Sequence, residues 1–439
     1  MKREGYLIER VADLDNLLLA FHKAHKGKLC KNEVRSFRAD LQANLMRMRD
    51  DLLQGVIDVG NYHTFTIFDP KQRLICAAAF SERVLHHALM QVCHPVFERH
   101  LICHTYATRL GKGTYAALDY AHHCSSRFRY VAKLDVRKYF DSIDHQVLKK
   151  QLARLFKDGR LLHVLHRIID TYEAGIELDE RSSGRGLPIG NLTSQYFANL
   201  YLSGLDHHST EQLHAAAYVR YMDDILVFGN YRSVLVQQVE AIRSYAAERL
   251  HLELKPPLLV STSQGVSFLG YRLQGYRIGL NSRSRNRLRH KSGVYAGLLD
   301  AGCWTGTEYR DHITPLYAFA EHAYSKKTRQ RIITQVESRR APTASIAAAA
   351  GTTTPGTAAC RTATTTTRRT ATTTLGSGLS WSPSLATADG VGTVNRLSSC
   401  FCHGQNETSG CVPHKEVLLV DGMDVSDEDC TSFKRLNNA

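Results

Sequence analysis

Apolar residues in the first fifty positions recur at helical spacing, as in Leu17-Leu-Leu-Ala-Phe21 and Leu41…Leu45…Met46…Met48. The pattern predicts helices up to about Leu53. Two β-rich runs follow, Tyr62–Phe68 and Arg73–Ala79, joined by the turn signal Asp69-Pro70-Lys71-Gln72. Arg83 to Phe97 returns to an amphipathic helical pattern. Tyr130-Val-Ala-Lys-Leu-Asp-Val reads as a strand. Gln146–Leu155, Leu161–Tyr172 and Gln195–Gly204 read as helices. Ala217–Arg220 and Ile225–Phe228 flank Tyr221-Met-Asp-Asp224 and predict a hairpin. A helix over Val234–Leu250 precedes strands at Val266–Leu273 and Arg277–Leu280, and Arg287–Arg340 is helical and basic.

The period is lost at Ala341. Fourteen threonines lie between Ala341 and Leu375, interleaved with alanine, so this stretch cannot bury enough apolar surface to offset its ordering entropy. Charge divides at the same place. The 439 residues carry a formal +14, yet the part from Ala341 onward holds 7 Lys+Arg and 8 Asp+Glu. The basic excess therefore belongs to the first 340 residues and fits a polyanionic partner such as nucleic acid. The 11 cysteines are odd in number and scattered; Cys76, Cys93, Cys103 and Cys124 sit in or beside apolar segments and read as buried thiols of a reducing compartment. The start, Met1-Lys-Arg-Glu-Gly-Tyr, lacks an apolar signal core, and no run approaches a membrane span. A cytoplasmic location away from membranes is the expectation.

Three carboxylates draw the chemistry together. Asp135 ends a predicted strand, and Asp223 and Asp224 occupy a predicted hairpin turn. Phosphoryl transfer uses two divalent cations roughly 3.5–4 Å apart, and hard cations take carboxylate oxygens. Adjacent aspartates in an apolar setting repel each other, and a cation relieves that. Asp144 reads better as the cap of the helix near Gln146 than as a further ligand. In the tail, Cys400-Phe-Cys402-His403…Cys411-Val-Pro-His414 fits no zinc-finger spacing, and the acidic run Asp421–Asp429 reads as a solvated end.

From Lys71 to Leu280 the chain resembles a reverse transcriptase. Lys71-Gln-Arg73, Ser81-Glu-Arg83-Val-Leu and Tyr106-Ala-Thr-Arg109-Leu-Gly-Lys-Gly113 resemble basic finger motifs of intron-encoded and related bacterial enzymes. The resemblance implies an α/β right-hand polymerase with an antiparallel-sheet palm, helical fingers and a helical thumb, and a C-terminal tail read as disordered. The expected divisions are fingers at 1–130, palm at 131–272 with an interleaved finger segment, thumb at 273–340 and tail at 341–439. It implies Asp135, Asp223 and Asp224 as catalytic and metal-binding residues for two Mg²⁺ ions, with Mn²⁺ as a substitute. It further implies Arg73 and Arg83 at the triphosphate, Phe140 against the 2′ position of the incoming sugar, and Lys255 near the pyrophosphate. Phe268-Leu-Gly-Tyr271 matches the primer-grip hairpin, with Phe268, Leu269 and Gly270 as the grip residues. Template RNA, a DNA or RNA primer and dNTPs are the implied partners.

One departure narrows the resemblance. Most reverse transcriptases carry glutamine before the glycine of the loop beside the template-paired nucleotide, followed by Ser-Pro. Here Gly186-Leu-Pro-Ile189-Gly190-Asn-Leu-Thr-Ser194-Gln195 has Ile189 and Gln195 instead. This is similar to the enzymes of diversity-generating retroelements, which copy a template repeat with errors at adenines; that resemblance implies a small basic helical accessory protein. The tail agrees by another route: Ala347–Thr354 and Thr372–Gly378 can be encoded by DNA that reads GGSWNNN and NNIGFR in the frame one base earlier. Such strings resemble the variable proteins of these elements, as if the reading frame ran into the template repeat. The competing readings are a group II intron or retron enzyme, which would carry the glutamine at Ile189, and a catalytically silent RNA-binding subunit.

Overall fold

The computed structural model describes residues 3–68, 72–172 and 184–323, together with 330, 331 and 334. The expected turn at 69–71, the last part of the basic helical region and everything from Ala341 lie outside the described residues.

The N-terminal quarter is helical, as its periodicity predicts: α1 (Ile8–Val11), α2 (Leu14–His25), α3 (Asn32–Ala39) and α4 (Leu41–Gln54). Asp13 caps α2 by accepting the Asp15 and Asn16 N–H groups, and Gly55 ends α4 at φ 75°. A hairpin follows, β1 (Tyr62–Phe68) with β2 (Gln72–Ala78), antiparallel from Tyr62↔Ala78 to Phe68↔Gln72. Then comes α5 (Phe80–His100), longer than Arg83–Phe97 at both ends and carrying Pro95 within it. It lies against α2, where Leu17, Ala20, Phe21 and Ala24 form the buried stripe. The next helix, α6 (Thr114–Arg127), was not foreseen; it opens after Gly113 at φ 101°.

The centre of the molecule is β3 (Tyr130–Asp135), α7 (Tyr139–Ser142), α8 (His145–Leu155), α9 (Gly159–Asp170), α10 (Leu192–Tyr201) and α11 (Ser203–His207). A π-helical turn at His208–Gln212 leads into β4 (Ala217–Tyr221), β5 (Asp224–Gly229) and α12 (Arg232–Leu250). Asp144 does cap α8, accepting from Gln146 N at 2.8 Å and Val147 N at 3.1 Å. After α12 come β6 (Leu258–Ser261), β7 (Val266–Phe268), β8 (Tyr271–Gln274), β9 (Arg277–Leu280), α13 (Ser282–Asp300) and α14 (Gly306–Glu321). The single strand expected over Val266–Leu273 is thus two, broken at Leu269 (φ 47°) and Gly270 (φ 86°). Paired positive φ angles are what a two-residue hairpin turn requires.

The four-stranded sheet has the order β4-β5-β3-β6, with every pairing antiparallel. Both faces are covered, which is why its strands read as nearly continuous apolar runs rather than alternating ones. Ala132, Leu134, Tyr218, Ile225 and Val227 join the large core with α2, α5, α8, α10 and α12. Val131, Val219, Leu226 and Phe228 join a second core with α6, β7, β8 and α14. Each buried Val, Leu or Ile contributes roughly 1.5–3 kcal/mol, so the sheet is fixed from two sides and its strand ends are held in place. One cysteine departs from expectation: Cys76, Cys93 and Cys124 are buried, but Cys103 is exposed. Among the described residues no helix is long and apolar enough to cross a membrane.

Candidate active site

Register brings the three aspartates together. Asp135 is the last residue of β3 and lies opposite Asp224, the first of β5. Tyr221 pairs with Asp224, leaving Met222 and Asp223 as the two turn residues. Met222 takes φ 50°. A side chain at such a place costs about 1–2 kcal/mol, and glycine is the usual occupant.

The electrostatics of the turn are those of crowded anions. Asp223 is pushed up to about 7, first by burial and then by the charges of Asp224 and Asp135. Two ammonium groups offset part of this. Lys133 Nζ stands 2.8 Å from Asp224 Oδ1, and Lys255 Nζ donates to Asp135 Oδ1 at 2.5 Å. The Lys255 backbone N–H also donates to the Asp135 carbonyl at 2.9 Å, so strand end and lysine are locked together. Among the described residues no three acidic, His or Cys side chains are already gathered as a metal cage. The donor set nevertheless fits hard cations: three carboxylates, one of them half-buried and raised by desolvation and its neighbours, beside lysines that a divalent ion would displace.

A cavity of about 370 Å³ opens over this turn. Asp223 and Asp224 form one wall with Tyr221 and Met222; Phe140, Asp141 and Lys138 from the segment after β3 form another. Burial pushes the Asp141 carboxyl up. Phe140 is held there because its carbonyl accepts from Leu187 N at 2.9 Å. Arg73 of β2, Ile189, Lys255 and Leu269 complete the lining, with Thr114, Tyr115 and Phe319. Asp135 does not itself line the cavity; Lys255, which does, is ion-paired to it.

Ile189 is tied to the β1–β2 hairpin twice. Its carbonyl accepts from Cys76 N at 3.0 Å, and its side chain packs on the small apolar cluster of Ile67 and Ile75. Gly190, next in the chain, takes φ 125° and does not itself line the cavity. Leu269 reaches the cavity while Phe268 is buried behind it. Gly270 allows a close approach: a Cβ there would stand 2.7 Å from the Phe319 ring.

Two arginines of the finger motifs, Arg83 expected at the triphosphate and Arg109, are otherwise engaged. Arg83 donates to Glu33 at 2.5 Å and to the Ala78 carbonyl at 3.0 Å, and is absent from the cavity lining. Arg109 is buried and donates to Glu98, Thr105 and the Ile102 carbonyl. Sequence reasoning missed Lys133, although it lies two residues before Asp135 and hence on the same strand face. It also missed Thr114, Tyr115, Lys138 and Phe319, whose places depend on long-range packing.

Residues 68–273 match the family model described as Reverse transcriptase (RNA-dependent DNA polymerase). This stretch of the chain, which contains all three aspartates, is similar to reverse transcriptase domains. Among relatives, Protein YkfC of Escherichia coli (strain K12) is 23% identical over 314 residues, covering 60% of this chain and 80% of that protein. Nuclear intron maturase 4, mitochondrial, of Arabidopsis thaliana is 26% identical over 160 residues, or 36% of this chain and 20% of the maturase. Of solved structures, an apo telomerase from Candida tropicalis truncated from the C-terminal domain gives a TM-score of 0.38 at 13% identity, over 50% of this chain and 55% of that one. A Candida albicans telomerase gives 0.37 at 16%, over 62% and 54%. This chain therefore spans about half of the telomerase chains and a fifth of the maturase.

Proposed function

We propose that this protein is an RNA-directed DNA polymerase that extends a primer along an RNA template. The observation that carries the reading is that Asp135 lies in register opposite Asp224 beside a cavity lined by Asp223 and Asp224, within the stretch that matches the reverse transcriptase model. In this reading the four-stranded sheet is the palm. The N-terminal helices and the β1–β2 hairpin are fingers, and α13 and α14 begin the thumb. Two Mg²⁺ ions, with Mn²⁺ as substitute, would be held by the three aspartates and would ease deprotonation of the primer 3′-hydroxyl and offset the charge on the leaving pyrophosphate.

The chain's own side chains do the positioning. Arg73 faces the cavity from β2 and binds triphosphate oxygens by charge-assisted hydrogen bonds. Lys255 leaves Asp135 for the pyrophosphate when cations arrive. Phe140 fills the space beside the sugar and excludes a 2′-hydroxyl. Leu269 and the turn it sits in bear on the primer end. Arg83, engaged with Glu33, supports the fold of the fingers rather than the nucleotide.

A finer proposal concerns fidelity. Ile189 lines the cavity without a polar group, and its stem is committed to the hairpin cluster. We place the enzyme among those of diversity-generating retroelements, error-prone at template adenines and served by a small basic helical accessory protein. The direct test of the whole proposal is primer extension by the purified chain on a defined RNA, with Mg²⁺ and dNTPs. Product of template length is expected. Absence of product alongside tight RNA binding would favour the silent RNA-binding subunit.

A further inference from the structure

We propose that Arg220, outside the cavity, is a positioning residue that sets the Met222–Asp223 peptide and thereby the cation affinity of the aspartate turn. The inference rests on the polymerase reading above and deepens it.

Arg220 lies in β4, one residue before the turn begins at Tyr221, and is fully buried. A buried guanidinium is tolerated only where its donors are met. All five are. Nε and Nη2 make a fork on Asp206, at 2.7 Å to each oxygen. Nη2 also donates to the Asn199 carbonyl at 3.1 Å, and Nη1 to Asn199 Oδ1 at 3.2 Å. The remaining donor, on Nη1, goes to the Met222 carbonyl at 3.0 Å. The acceptors are themselves anchored: Tyr218 donates to Asp206 at 2.8 Å, and the Asn199 amide donates to the Ala107 carbonyl at 2.7 Å. The Arg220 main chain is bonded to the segment beside it, its N–H to the His104 carbonyl and its carbonyl to Tyr106 N.

The guanidinium thus joins α10 and α11 to one carbonyl of the turn. That carbonyl belongs to the peptide immediately before Asp223 and to the residue with φ 50°. Two forces act to relax the turn: the positive φ of a side-chain-bearing residue, and repulsion among three carboxylates. A fixed Met222 carbonyl opposes both. It keeps Asp223 aimed at the shared site before any cation arrives, which is preorganisation.

Arg220→Lys tests this. Lysine keeps the charge beside Asp206 but has three donors in place of five and no planar fork, so it cannot make all five of these bonds. The first readout is thermal stabilisation by Mn²⁺ alone, titrated without nucleotide. The second is the Mg²⁺ dependence of primer extension. Loss of one buried hydrogen bond corresponds to about a fivefold change. The variant is expected to fold, to need about fivefold more Mn²⁺ for half its melting-temperature gain, and to need correspondingly more Mg²⁺ for half-maximal extension. Much of its rate should return at saturating Mg²⁺. Arg220→Met combined with Asp206→Leu removes the ion pair without stranding a charge, and should show the same rise. A merely structural role would lower the melting temperature and leave both half-saturation points unchanged; that result in either folded variant overturns the proposal. Failure of both variants to fold also overturns it, since Arg220 would then serve the core. If the wild type extends no primer, the polymerase reading fails while the Mn²⁺ titration still decides the role of Arg220.

Discussion

Replacing Ile189 with Gln should reduce misincorporation opposite template adenine. The backbone at this place is fixed by the bond from Cys76 N, so the new side chain starts from the same point. Its stem can follow the isoleucine along Ile67 and Ile75, losing the β-branch. That loss costs about 1 kcal/mol of stability, in the range of a removed core methyl. The gain is an amide at the rim of the cavity, able to donate and accept. One such contact at the paired nucleotide contributes about 1 kcal/mol, or roughly a fivefold change in discrimination. Adenine templates should respond most, because an A·T pair has one hydrogen bond fewer and leans more on the protein for its geometry. The assay is deep sequencing of cDNA copied from one RNA by both proteins. The wild type is expected to err at adenine well above the other three bases, and the variant to err about fivefold less there. Equal error at all four bases in the wild type, or an unchanged spectrum in the variant, would refute the reasoning.

Arg73→Ala should raise the KM for dNTP about tenfold by removing a charged contact of about 1.5 kcal/mol, whereas Arg83→Ala should leave KM within about twofold and lower the melting temperature; equal KM effects in steady-state kinetics would contradict the two placements. Asp223 binds its proton more tightly folded than unfolded, with 3.8 raised to about 7, so cation-free stability should fall as the pH rises through that interval, by about 4 kcal/mol in all. Asp223→Asn should flatten this fall in urea titrations at pH 4.5 and 7.5, and an unchanged slope would show that the carboxyl is not the cause. Gly270→Ala should destabilise by about 2 kcal/mol, because φ is 86° and the new methyl would meet the Phe319 ring at 2.7 Å; a melting curve like that of the wild type would refute the tight packing of this turn.

Periodicity revealed the long elements because one face of each is apolar and the other is not. The helices α2, α4 and α12 were legible for that reason, as was the hairpin carrying Asp223 and Asp224. The helix α6 was hidden by its mix of Tyr, His and Ala, which gives only a weak stripe. The strand β6 has four residues, follows Pro256-Pro257, and is defined by its pairing with β3 rather than by any local pattern. At Phe268-Leu-Gly-Tyr271 periodicity read one strand, whereas the resemblance to a primer-grip hairpin implied the turn that the positive φ angles of Leu269 and Gly270 make. The three aspartates stood out because carboxylates between hydrophobic strands are costly without a purpose. Arg220 looked like the polar end of a strand, and its burial depends on Asp206 and Asn199 arriving from elsewhere. Arg83 and Arg73 were indistinguishable by sequence; Glu33, fifty residues away, separates them.

The most direct test of the central claim is single-turnover primer extension by Asp223→Ala and Asp224→Ala, alongside RNA binding measured by fluorescence anisotropy on the same preparations. Losing one carboxylate from the cation site removes several kcal/mol of transition-state stabilisation, so extension should fall by at least about 10³-fold. RNA affinity should remain within a few-fold, because it rests on basic residues along the backbone path. Extension at near wild-type rate by either folded variant would contradict the assignment of the active site to this turn.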